Sequence, residues 1–158
     1  MYKYSYAEYK KDIISFTKLI KEVKPDIIIG IAKGGLSPAT EVARYFDIPM
    51  YTIGIKSYKD KKKDQIVIYQ DLPTDINFSD LTIVIVDDIV DSGETMNYAK
   101  NAHFMRHKRC YTASLYYKPN KILKPDFFIH ETDKWIEFPW EREITLEETA
   151  KDILIQIG

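Results

Sequence analysis

Apolar residues recur at two different periods in the first part of the chain. Between Ser5 and Lys24, residues Tyr9, Ile13, Phe16 and Ile20 return every three or four positions, the spacing of one face of an α-helix. Ser5, followed three residues later by Glu8, predicts a capping box at its start, and Pro25 lies just beyond its end. Asp26 to Ile31 (DIIIGI) is instead a continuous apolar run, as expected of a strand buried on both faces. Ser37-Pro38 predicts an N-cap with proline at the first helical position, opening a helix to about Phe46. Met50–Ile55 and Gln65–Tyr69 read as strands, separated by Tyr58–Asp64 (YKDKKKD), a stretch too polar to pack. Leu81–Val86 (LTIVIV) is the strongest strand signal, and Asp91–Thr95 turns into a helix running to about His107. Thr112–Tyr117 and Asp126–Ile129 predict late strands, and Trp135–Trp140 a short aromatic segment. Thr145 with Glu148 predicts the cap of a last helix carrying Leu146, Ala150, Ile153 and Leu154.

Helices alternating with strands imply an α/β fold with a mainly parallel sheet. The 158 residues suit one domain with a real core, and no repeat, low-complexity segment or linker divides them. Apolar residues at 45% and charged residues at 30% give a soluble, globular balance. A net charge of −1 offers no basic field for nucleic acid. The single cysteine, Cys110, excludes an internal disulfide and a Cys-rich zinc site, and reads as structural. His103, His107 and His130 show no ligand spacing. No segment approaches the ~20 apolar residues that span a bilayer, so the cytoplasm is the expected location.

The chemistry concentrates in Ile83–Thr95, IVIVDDIVDSGET. A buried strand leads into the carboxylates Asp87 and Asp88, and a short loop then carries Asp91, Ser92, Gly93, Glu94 and Thr95 into a helix. In open α/β sheets ligands bind beyond the carboxyl ends of the strands, where this loop must lie. Backbone N–H groups, two hydroxyls and a helix N-terminus meet there, and Gly93 lets the main chain come close, which together make a phosphate site. Asp87 and Asp88 suit a hard cation such as Mg²⁺ or the hydroxyls of a ribose. A second glycine loop, Gly30–Gly35 (GIAKGG), ends the first strand; Gly34 and Gly35 free N–H groups for an anion and Lys33 adds charge. Paired strand-end aspartates also occur in receiver domains, but there the pair comes near the N-terminus and the third aspartate on a later strand.

The thirteen contiguous residues 83–95 resemble the phosphoribosyl pyrophosphate (PRPP) motif of type I phosphoribosyltransferases. That resemblance implies a mainly parallel twisted sheet flanked by helices, with a small hood formed mainly by residues from about 118 to 145 of a single 1–158 domain. It implies Asp87 on the ribose, Asp88 as the Mg²⁺ ligand, and Ser92, Gly93, Glu94 (through its backbone) and Thr95 on the 5′-phosphate. Asp91 becomes the candidate catalytic base for the purine N7 proton. Lys33, Gly34 and Gly35 resemble the pyrophosphate loop, in which the peptide before the basic residue, here Ala32–Lys33, is often cis. Ser57–Asp64 looks like the mobile catalytic loop, with Lys59, Lys61, Lys62 and Lys63 where related enzymes often carry an arginine.

Lys118-Pro119 after TASLYY, and Trp135–Trp140 (WIEFPW), are similar to the 6-oxopurine branch, most closely the short bacterial xanthine-guanine phosphoribosyltransferases. That likeness implies Lys118 donating to the purine O6, Trp135 stacking on the ring, and backbone near Ile136 and Glu137 at the base edge. Phe138 departs from the polar residue common there. The implied partners are PRPP and a purine base, in a homodimer or homotetramer. A different base acceptor would keep the PRPP motif and change the hood. A PRPP-sensing regulator would keep it too, and would need a partner surface.

Overall fold

Ser5 caps the first helix as its spacing predicts. Its side chain accepts a hydrogen bond from the Glu8 N–H at 3.1 Å, and the Glu8 carboxylate accepts from the Ser5 N–H at 2.8 Å. The computed structural model describes residues 1–59, 64–142 and 154; the final helix expected from Thr145 falls outside the described residues. In chain order the elements are β1 (Tyr2–Lys3), α1 (Tyr6–Lys21), β2 (Ile27–Ala32), α2 (Leu36–Phe46), β3 (Met50–Lys59) and β4 (Asp64–Gln70). There follow β5 (Ile83–Val90), α3 (Glu94–Phe104), β6 (Cys110–Tyr117), β7 (Phe127–Glu131), β8 (Ile136–Glu137) and a 3₁₀ turn, Pro139–Glu141.

Six strands form one sheet in the order β4-β3-β2-β5-β6-β7. All neighbours are parallel except the edge pair β3–β4. A parallel sheet needs cover on both faces, and alternation along β2 supplies it. Ile28 faces the layer of α1 and α2 with Phe16, Ile20 and Val42, while Ile27, Ile29 and Ile31 face the layer of α3 with Met96, Ala99 and Phe104. Buried Cys110 belongs to that second layer, and burial pushes its thiol up to about 12, so it is inert packing. A second, two-stranded sheet joins β1 to β8 in parallel, with Tyr2 opposite Ile136.

Three expectations about element ends are corrected. Helix α2 begins at Leu36 with Gly35 at its cap, two residues before the expected Pro38 start. Ser37 is no cap because its hydroxyl donates to the Tyr9 hydroxyl of α1 at 3.1 Å. Strand β3 continues through Lys56–Lys59, pairing with Asp64–Val67, because an antiparallel ladder needs main-chain partners and not apolar side chains. Residues 60–63 of the charged stretch lie outside the described residues. Strand β5 runs on to Val90, so Asp87 and Asp88 sit within it rather than after it.

Candidate active site

The parallel register dictates what meets at the carboxyl end of the sheet. Gly30 of β2 lies opposite Val86 of β5, and Val90 of β5 opposite Tyr117 of β6. The loop after Ala32 therefore falls beside Asp87 and Asp88, and Asp91 emerges next to Lys118. The Lys118 N–H extends the ladder by donating to the Val90 carbonyl at 2.8 Å.

Gly34 packs against the Asp88 carboxylate so closely that a Cβ there would lie 2.2 Å from Oδ2. Gly35 is wedged against β5, where a Cβ would meet the Val86 carbonyl oxygen at 2.4 Å. The glycine pair is thus required by the approach of one loop to a neighbouring strand. The Ala32–Lys33 peptide is cis, as the resemblance implied, and the Lys33 side chain is exposed.

Asp88 is buried and Asp87 half-buried. Burial, reinforced by the Asp88 charge, pushes Asp87 well above the usual carboxylate range. Burial also raises Asp88, opposed by the Trp140 indole N–H, which donates to Oδ2 at 3.2 Å, and by the Ile89 N–H, which donates to Oδ1 at 2.8 Å. Trp140 stacks on Phe138 at 5.2 Å and meets the Tyr9 ring edge-on. The contact from Trp140 to Asp88 spans 52 residues and had no signal in the local sequence.

Segment 87–96 wraps a cavity of about 220 Å³. Gly93, with φ of +86°, caps α3 in the left-handed region, and the Glu94 N–H donates to the Ser92 hydroxyl at 3.3 Å. Ser92 and Glu94 are exposed and Thr95 half-buried. Asp91 is exposed too, and its Oδ2 lies 3.4 Å from the Lys118 ammonium. The same ammonium sits 5.7 Å from the centre of the Trp135 ring, which is 67% exposed. Asp91, Lys118 and Trp135 therefore converge. The Ile136 side chain is buried in the core, leaving only its main chain for a ligand. The main-chain N–H groups of Tyr2 and Tyr4 donate to the carbonyls of Trp135 and Glu137, so alternation along the strand turns the main-chain groups of Ile136 to the other side. Buried Phe138 is packing.

The arrangement offers a glycine turn into a helix start, a carboxylate pair of which one member is buried, a second glycine loop and an exposed aromatic beside a lysine. The sequence profile of the phosphoribosyl transferase domain matches residues 5–145. The chain belongs to that family. It is 34% identical over 117 residues to the xanthine-guanine phosphoribosyltransferase of Cereibacter sphaeroides, covering 72% of this chain and 68% of that one. Its fold matches a purine phosphoribosyltransferase of Pyrococcus horikoshii with a TM-score of 0.79 at 33% identity, over 91% of this chain and 96% of that one. A xanthine-guanine-hypoxanthine phosphoribosyltransferase of Helicobacter pylori matches with a TM-score of 0.77 at 26% identity, over 96% and 98%. Membership gives the mainly parallel sheet and helical layers their family fold. Among the described residues no helix is long and apolar enough to cross a membrane.

The raised Asp87 carboxyl carries a stability cost that pH should reveal. A carboxyl raised in the folded chain is neutral in both states below the ordinary aspartate value of about 4. As pH rises past it, the unfolded chain ionises first, so folding stability falls until Asp87 ionises too. In ligand-free protein Asp87→Asn is expected to be more stable than wild type at pH 7.5, by roughly 2–4 °C in Tm per kcal/mol relieved. The advantage should vanish near pH 4. Melting curves at the two pH values check this, and an equal shift at both would assign it to packing.

Proposed function

We propose that this chain is a purine-salvage phosphoribosyltransferase that moves the 5-phosphoribosyl group from PRPP to a 6-oxopurine, releasing pyrophosphate. The observation that carries this reading is the convergence of Asp91, Lys118 and Trp135 beside a loop of phosphate-binding chemistry. Ser92, Gly93, Glu94 (by its N–H) and Thr95 grip the 5′-phosphate, Asp87 holds the ribose, and Lys33 and Gly34 receive the leaving pyrophosphate. Gly35, expected to join them, is buried and its N–H donates to the Ile31 carbonyl at 2.8 Å, so it serves the packing of the loop. Lys118 donates to O6 of the base, Trp135 covers its face and the main chain at Ile136 meets its edge.

The carboxylate oxygens of Asp87 and Asp88 form a donor set fitting Mg²⁺, with Asp88 the ligand. Bound there, Mg²⁺ supplies charge neutralisation for pyrophosphate. The residues supply position and electrostatics for a loose displacement at ribose C1. Asp91 takes the N7 proton as the base attacks. The expected assembly is a homodimer or homotetramer in the cytoplasm. Of the segment from about 118 to 145 expected to form the hood, β7 belongs to the main sheet, which leaves the turn after β6 and β8, paired with β1, as its described part.

Incubating the protein with PRPP, Mg²⁺ and single bases tests the reading. Pyrophosphate release that requires all three with a 6-oxopurine supports it; none with any base overturns it. Thr95→Ala should weaken both PRPP and nucleotide product by roughly 1–2 kcal/mol, the worth of a hydrogen bond to a charged group. Unchanged nucleotide affinity in a titration would remove Thr95 from the phosphate site.

A further inference from the structure

The turn after β6 contains a side chain that the chemistry above leaves unused. The Asn120 amide donates to the Asp91 carbonyl at 3.1 Å and to the Lys118 carbonyl at 3.0 Å. Its oxygen accepts from the N–H groups of Ile122 at 2.9 Å and Leu123 at 2.8 Å. An asparagine amide has two donor hydrogens and one oxygen with two lone pairs, so every capacity of this group is spent on main chain. All four partners belong to two segments, Asp91 in the phosphate loop and residues 118–123 in the turn. Gly93 fits against the same group, for a Cβ there would fall 2.7 Å from the Asn120 oxygen. A left-handed glycine and a saturated amide thus interlock the loop with the turn that carries the purine lysine.

We infer that Asn120 is a positioning residue that sets the phosphate loop and Lys118 at a fixed separation, so that one nucleotide spans both. The inference rests on the phosphoribosyltransferase reading. A nucleoside monophosphate presents a phosphate and a base at a separation fixed by its ribose. Only a site holding both receptors at that spacing gains the full benefit of the phosphate, as two linked binding events do when the geometry matches. Asn120 touches neither ligand in this scheme and acts through the main chain at Asp91 and Lys118.

The discriminating variant is Asn120→Asp. A carboxylate keeps the oxygens that accept from Ile122 and Leu123, so the turn retains those two bonds. It has no hydrogen to donate, and it sets a negative charge against two carbonyl oxygens. Calorimetric titration with guanosine 5′-monophosphate (GMP) and with guanosine then gives the advantage that the phosphate confers. In wild type that advantage should reach about 10²-fold or more, as several charge-assisted bonds provide. In Asn120→Asp it should fall about tenfold, with binding stoichiometry unchanged. A role in stability alone would lower the stoichiometry or the Tm and leave the ratio of affinities intact, and that result would overturn the inference. If Asn120→Asp does not fold, Asn120→Ser offers one hydroxyl oxygen to the same N–H groups, adds no charge and has a single hydrogen that cannot serve both carbonyls, so it carries the same test. A wild type that binds GMP no better than guanosine would instead overturn the phosphoribosyl reading, so the two failures are distinguishable.

Discussion

Asp91→Asn is expected to lower turnover about 10²-fold or more while leaving PRPP affinity nearly unchanged. Asparagine matches aspartate in shape, and the bond that Asn120 makes to residue 91 goes to the main-chain carbonyl, which the substitution keeps. The phosphate loop should therefore hold its form. What disappears is the only proton acceptor of that side chain basic enough to take the N7 proton, together with the partner of the Lys118 ammonium 3.4 Å away. Losing that partner frees Lys118 for the base, so KM for the purine should not rise in step with the fall in kcat. Steady-state kinetics with both substrates varied, beside a PRPP titration, separates the effects. Abolished PRPP binding with no separate effect on turnover would make Asp91 a binding residue and not the base.

Such a residue could be singled out from sequence because Ile83–Thr95 is contiguous. Strand, carboxylates, glycine turn and helix start follow one another, and the parallel register adds only their neighbours. The alternation of elements gave the layers for the same reason, since periodicity is local. Element ends were less legible. Apolar patterning stops at Val86, yet the ladder continues because Ile89 and Val90 still pair with Tyr116 and Tyr117. Ser37 has the residue type and place of an N-cap, but a hydroxyl in α1 competes for it across 28 residues.

The supports of the site were not legible at all. Trp140 reaches Asp88 across 52 residues, and Asn120 reaches Asp91 across 29. His130 contacts Asp12 across 118 residues at 2.7 Å, fixing β7 to α1. Each is an ordinary polar or aromatic residue in a turn or strand, with nothing nearby in the chain to reveal its partner. His103 and His107 likewise serve structure: one ring contacts Asp71 at 2.6 Å, the other the Phe78 carbonyl at 2.8 Å. Folding brings such pairs together only after the sheet order is set. The groups proposed to meet substrate sit in recognisable loops, while those that hold the loops in place come from anywhere.

The proposed reading gives the choice of acceptor to Lys118 and Trp135, and there the expected discrimination is equally large. A 6-oxopurine presents a carbonyl oxygen at position 6, whereas adenine presents an amino group. The Lys118 ammonium has three donors and no acceptor, so it attracts the first and repels the second. Its side chain is only 18% exposed, held between Asp91 and the Trp135 face, so water cannot readily replace a lost partner. A site built around such a group rejects an analogue that cannot pair with it by ~10²-fold or more. Guanine, hypoxanthine or xanthine should therefore be used and adenine barely at all. Lys118→Ala should cut kcat/KM on every 6-oxopurine. Trp135→Ala should weaken base binding and spare PRPP, because that ring is exposed and its loss opens no cavity in the core. Comparing kcat/KM for the four bases in wild type and both variants is the measurement. Adenine turnover equal to that of guanine in wild type would remove Lys118 as the discriminator and leave the PRPP chemistry of residues 87–95 standing, since those residues never meet position 6.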